Sequence, residues 1–208
     1  MNKLLVIILG LLLFSSCTVQ QHYHFNEDMS GNYTVEIDVA GMMAMMGNES
    51  SIDALLGEIN IDSLKDEMNK LEGISGAKIE ELNGNIIVGY LFEDIVSLNA
   101  SLAGQDLGAY LGGTAGEEVE NAHITFVKKG KKLYYSAPQL DKGLLEDDEA
   151  SMGMEMVKWN VKISCASGIK KVKSEDFSLS GNDYIELSTS LTDIINGDVS
   201  VQAMMKLR

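Results

Sequence analysis

Tyr33, Val35, Ile37 and Val39 alternate with Asn32, Thr34, Glu36 and Asp38. A period of two puts the apolar set on one face of an extended chain, so this stretch predicts a half-buried β-strand. Val157, Trp159, Val161 and Ile163 repeat the pattern against Lys158, Asn160 and Lys162. Ile185, Leu187, Thr189 and Leu191 do so again, as do Val199, Val201, Ala203, Met205 and Leu207. Residues 77–82 and 85–92 flank Asn83-Gly84, the pair best suited to a two-residue type I′ turn, and so predict a hairpin. Residues 124–127 and 133–136 flank Lys128-Lys129-Gly130-Lys131-Lys132, a second hairpin with a solvated basic tip. Ser180-Gly181-Asn182-Asp183 predicts a further turn.

Helical spacing is rarer. Leu64, Met68 and Leu71 recur at i, i+4 and i+7, with Asp62 placed to cap the start and Gly73 to stop the end. Ile95, Leu98 and Leu102 mark a second helix within 93–103. Alternating strands need one face covered, and these helices are available to cover it. The predicted fold class is therefore α+β, β-rich, with a predominantly antiparallel sheet and a few short helices over one face.

Four segments fall outside these patterns. Residues 4–14 form an unbroken apolar run after Met1-Asn2-Lys3. A membrane-spanning helix needs about 20 apolar residues to cross about 30 Å of hydrocarbon, so this shorter run reads as the core of a secretory signal peptide. Residues 40–60 hold a Met-rich stretch and read as a loop or weak helix; 104–116 are Gly-rich; 138–151 are polar with the acidic run Glu146-Asp147-Asp148-Glu149. That run matches the calcium loop of an EF-hand in charge but not in ligand spacing.

Ser15-Ser16-Cys17 resembles a bacterial lipobox, with Phe14 standing at the usual Leu position. The reading is removal of residues 1–16, acylation of Cys17, a lipidated cysteine and tether over 17–31, and one β-rich envelope domain over 32–208. Two or more acyl chains anchor a protein stably without a transmembrane helix. By the family sorting rules of such proteins, Thr18 after the cysteine implies the outer membrane, facing the periplasm. Cys165 is the only other cysteine, so an acylated Cys17 leaves no disulfide, and Cys165 reads as a small buried hydrophobe. The formal net charge of −15 argues against nucleic acid as a partner, because phosphates are repelled.

The order of parts resembles the LppM-like family of bacterial lipoprotein domains. The likeness rests on the lipobox, on residues 24–34 with the turn-rich Asp28-Met29-Ser30-Gly31 before the first alternation, and on 159–163, 171–173, 183–187 and 190–197 before a last strand. It implies a lipid-anchored, β-rich domain with a role in handling or sensing envelope lipids, and no catalytic residues. The Met-rich and Gly-rich insertions depart from the family pattern.

Candidate chemistry is sparse. Met42, Met43, Met45 and Met46, with Met152, Met154 and Met156, are flexible apolar fillers of cores and of adaptable binding surfaces. The first four are the candidate ligand-binding residues, for a lipid or protein partner. Thioethers also suit Cu(I), and His22 and His24 project from one side of an extended segment. A Met/His copper-binding envelope protein is thus the alternative, although no metal ligand set or cofactor is assigned. His123 stands alone. Asp62-Ser63-Leu64 matches a short O-glycosylation pattern but reads as a helix cap. Neither a G-x-S-x-G elbow nor paired glycosidase carboxylates occur. The expectation is a non-enzyme, with an enzyme lacking any motif as the remotest class.

Overall fold

The structure, a computed structural model, describes residues 17–39, 41, 61–103, 123–138 and 155–208. The expected signal peptide over 1–16, Met42–Met46, Met152, Met154, the Gly-rich run and the acidic run lie outside the described residues.

Eleven strands build two sheets among the described residues. The larger contains β1 (Thr18–Phe25), β2 (Gly31–Asp38), β3 (Ile74–Leu82), β4 (Asn85–Phe92), β7 (Lys158–Cys165), β9 (Ser178–Ser180) and β10 (Tyr184–Ser190), in the order β3-β4-β2-β1-β7-β10-β9. The smaller contains β5 (Thr125–Lys129), β6 (Lys132–Ser136), β8 (Ile169–Lys173) and β11 (Gln202–Leu207), in the order β5-β6-β11-β8. All pairings are antiparallel except that of β1 with β7. The fold is α+β and β-rich, with three helices among the described residues: α1 (Ile61–Asn69), α2 (Ile95–Ala103) and α3 (Leu191–Asn196).

The expected tether over 17–31 is replaced by β1 and its turn. Tyr23 and Phe25 are fully buried, so the strand carrying them belongs at the centre of the sheet, between β2 and β7. Aromatic rings join the two sheets. Tyr23 packs on Phe126 at 4.9 Å and on Tyr33 at 4.9 Å, and Phe25 meets Phe126 edge-on at 5.1 Å. The large sheet is thus covered chiefly by the small sheet, with α2 adding Leu98 and Leu102 to the same core. Helices alone were expected there.

Turn chemistry follows the sequence closely. Asn83 and Gly84 both have positive φ, 56° and 86°, as a type I′ turn requires. Asp94 accepts from Ser97 N at 2.8 Å and caps α2. Ser190 and Asp193 form a reciprocal capping box on α3, and Gly197 ends it in the left-handed region. Leu191 therefore opens α3 and does not extend β10. Asp62 lies inside the first turn of α1, near Lys65 at 3.7 Å, and not at the cap. The apolar stripe of α1 stays largely outside: no residue of the helix is buried, and only Met68 packs against the core.

Candidate functional site

Register places the residues of interest at two ends of β1. Cys17 stands directly before the strand. Its carbonyl accepts from Lys158 N at 2.8 Å, and its thiol donates to the Asp38 carbonyl at 3.4 Å. Burial and the nearby Asp38 charge push this thiol up to about 11. The ends of β2 and β3, and the starts of β4 and β7, lie at the same end of the sheet, since Thr18 pairs with Lys158, Asp38 with Asn85 and Leu82 with Asn85. Two apolar side chains stand in solvent on these segments: Leu82, 55% exposed, at the hairpin tip, and Met156, 42% exposed, ahead of β7. Val19, Val35, Ile37, Ile86 and Val88 on the core side of this half of the sheet are only half-buried.

At the other end, a second group forms on the face turned away from the core. His22 and His24 of β1 lie beside Lys162 and Ser164 of β7, and Tyr184 of β10 pairs with Ser164 from the far side. Ser164 is nine-tenths buried. Its hydroxyl lies 2.9 Å from His24 Nδ1, 3.3 Å from His22 Nε2 and 3.3 Å from the Tyr23 carbonyl. The hydroxyl has one proton. Donating it to the carbonyl leaves its lone pairs to accept an N–H from each ring, which orients both imidazoles. Burial, then the charge of Lys162, then His24 hold His22 below the usual imidazole range. Lys162 Nζ sits 4.1 Å over the Tyr184 ring. Together with Asp183 these residues line a pocket of about 310 Å³.

A serine hydroxyl near an imidazole is half of a nucleophile–base pair. A working triad adds a third group that orients the base. Here a second imidazole shares the hydroxyl, and no carboxylate bonds either ring among the described residues. Nor do the described residues contain a group of three or more His, Cys, Asp or Glu able to hold a metal ion. Met156, the described member of the Met-rich runs, lies before β7 at the Cys17 end, eight positions from Ser164 in sequence. The structure does not bring it to the two histidines. Cys165 is buried, with its thiol pushed up to about 12 by burial, as expected for a packing residue. His123 is half-buried and outside both groups.

The sequence reading found the shared side of His22 and His24 but missed Ser164 and Tyr184. The polar alternation of Lys162 and Ser164 was the available signal. Its meaning depends on the parallel pairing of β1 with β7, which joins residues 140 and 142 positions apart.

No helix among the described residues is long and apolar enough to cross a membrane. Neither the protein-family models nor the curated proteins contain a match to this chain. Among solved structures, the chain is similar to the folded domain of the LppM protein of Mycobacterium tuberculosis, determined by NMR. The alignment covers 93% of this chain and 90% of that one at 10% identity, with a TM-score of 0.48.

Proposed function

We propose that this chain is a lipid-anchored, non-enzymatic binding module of a bacterial cell envelope, acylated on Cys17 and held on the outer membrane facing the periplasm. The observation that carries this reading is the position of Cys17 at the head of β1, with no spacer between the lipobox and the sheet. Acyl chains on its sulfur must enter the bilayer. Lys158 N holds the Cys17 carbonyl and the sulfur lies beside the Asp38 carbonyl, so the adjoining end of the sheet rests on the headgroups, where Leu82 and Met156 add apolar surface. Met42, Met43, Met45 and Met46 follow Gly41 in the chain, beyond the end of β2 at the same end. Their thioether side chains would contact lipid or a protein partner. Function by binding, without chemistry, fits a serine whose two imidazoles carry no orienting carboxylate among the described residues.

Intact mass of the membrane-extracted protein, with the lipids and metals that copurify, tests the reading. The expected species begins at Cys17 and carries acyl mass, and Cys17→Ser moves the protein to the soluble fraction. An unmodified soluble wild-type chain overturns it. Stoichiometric copper would instead favour the Met/His alternative.

A further inference from the structure

The pocket at the far end of β1 has no part in anchoring. At about 3.3 Å per residue, His24 lies roughly 23 Å along the strand from Cys17. The pocket is built from the central strands β1, β7 and β10, and its floor is the buried Ser164 hydroxyl. Its cation is Lys162. The Ser164 hydroxyl has a proton to offer when it turns from the Tyr23 carbonyl, and each imidazole, with one N–H on Ser164, presents its remaining ring nitrogen. In a chain with 31 acidic and 16 basic residues, Lys162 forms no ion pair among the described residues, and rests on the Tyr184 ring instead. The volume of about 310 Å³ admits a small ligand.

We propose that this pocket binds a small oxyanion, a phosphate or carboxylate that also carries a hydroxyl or amine group. Lys162 supplies the opposing charge, the Ser164 hydroxyl turns from the Tyr23 carbonyl to donate to the oxyanion, and protonated His22 donates through the ring nitrogen not bonded to Ser164. Asp183 at the rim accepts from the hydroxyl or amine, and the Tyr184 ring forms an apolar wall. Lys162 already disfavours protonation of His22. An anion beside Lys162 would offset that repulsion and favour the protonated His22 that donates to it.

The site does not depend on acylation, so it can be tested separately from the anchor. The probes are glycerol phosphate and inorganic phosphate, titrated into the ¹⁵N-labelled mature chain while the amides of residues 22–24, 162–166 and 183–184 are followed by NMR. Glycerol phosphate is expected to shift these resonances saturably, and more tightly than inorganic phosphate. Lys162→Met keeps an unbranched apolar stem on Tyr184 but removes the charge. It should weaken binding by about tenfold or more, the loss of one charge-assisted contact. Ser164→Ala tests the floor of the pocket in the same way. Phosphatidylglycerol vesicles identify the source: saturable binding through these residues points to a lipid headgroup, and binding of glycerol phosphate alone points to a soluble anion. Either supports the site. Absence of saturable shifts up to about 10 mM of the probes, equivalent to less than roughly 3 kcal/mol of affinity, would overturn it. So would equal affinity in Lys162→Met.

Discussion

The side-chain amide of Asn99 bonds both backbone groups of Phe126: Asn99 Nδ2 donates to the Phe126 carbonyl at 2.8 Å, and Phe126 N donates to Asn99 Oδ1 at 2.8 Å. Phe126 belongs to β5, an edge of the small sheet. One carboxamide on α2 thus takes the place of a neighbouring strand at that residue and blocks the edge to other chains. Asn99→Ala leaves both groups without this partner. A loss of about 1–3 kcal/mol in urea unfolding is expected, with earlier aggregation on heating. Unchanged stability and aggregation would show the contact to be incidental.

Two buried tyrosines should respond oppositely to loss of their hydroxyls. Tyr90 Oη lies 2.6 Å from Ser101 Oγ, whereas Tyr135 Oη is buried with no hydrogen-bond partner among the described residues. Tyr90→Phe should cost about 1 kcal/mol, and Tyr135→Phe should be neutral or stabilising by up to about 1 kcal/mol. Denaturation midpoints of the two variants make the comparison directly.

Gly31 opens β2 where a Cβ would overlap the His24 carbonyl oxygen and lie 2.7 Å from the Phe92 ring. The carbonyl is backbone and cannot turn aside as a side chain would. Gly31→Ala should cost more than about 3 kcal/mol, beyond ordinary overpacking. Near-wild-type stability would contradict the close approach of β1 and β2.

Stability should fall on acidification through His22. Its folded value lies below the unfolded one, so the unfolded state binds protons first as pH drops below about 6.5. The contribution is full above that value and is lost as pH falls towards the lower folded value. His22→Gln should flatten this part of the pH–stability curve, measured as denaturation midpoints between about pH 7 and pH 5. A wild-type slope retained in the variant would assign the effect elsewhere.

Cys165 should resist thiol reagents. With the thiol raised from 9.0 to about 12 by burial, thiolate is about a thousandfold scarcer than for a free cysteine. In Cys17→Ser protein at pH 8, labelling should be slow until denaturant is added. Rapid labelling of the folded protein would contradict the packing role.

Local rules were legible in particular residues. Asn83-Gly84 specified its hairpin because both positions adopt left-handed φ, and the alternation around Trp159 specified β7 because the apolar set had one face to fill. Leu98 and Leu102 likewise marked the buried side of α2. Other readings failed where a local motif met a tertiary choice. Asp62 looked like a cap yet lies within the first turn, and the stripe of α1 predicted a buried helix that packs chiefly through Met68. Within the expected tether, the alternation of Tyr23 and Phe25 with His22 and His24 already allowed a strand to begin this early, and β1 is that strand.

By itself the sequence determined the β-rich α+β character, most strand positions and the turns between sequence neighbours, because those follow from side-chain period and backbone sterics within a few residues. Only the tertiary structure decided that β1 lies at the centre beside β7, that a second sheet covers the first, and that Ser164 joins His22 and His24. Those arrangements depend on which apolar faces bury each other across more than a hundred residues. A strand's own alternation names the face to be buried, but it does not name the partner that buries it.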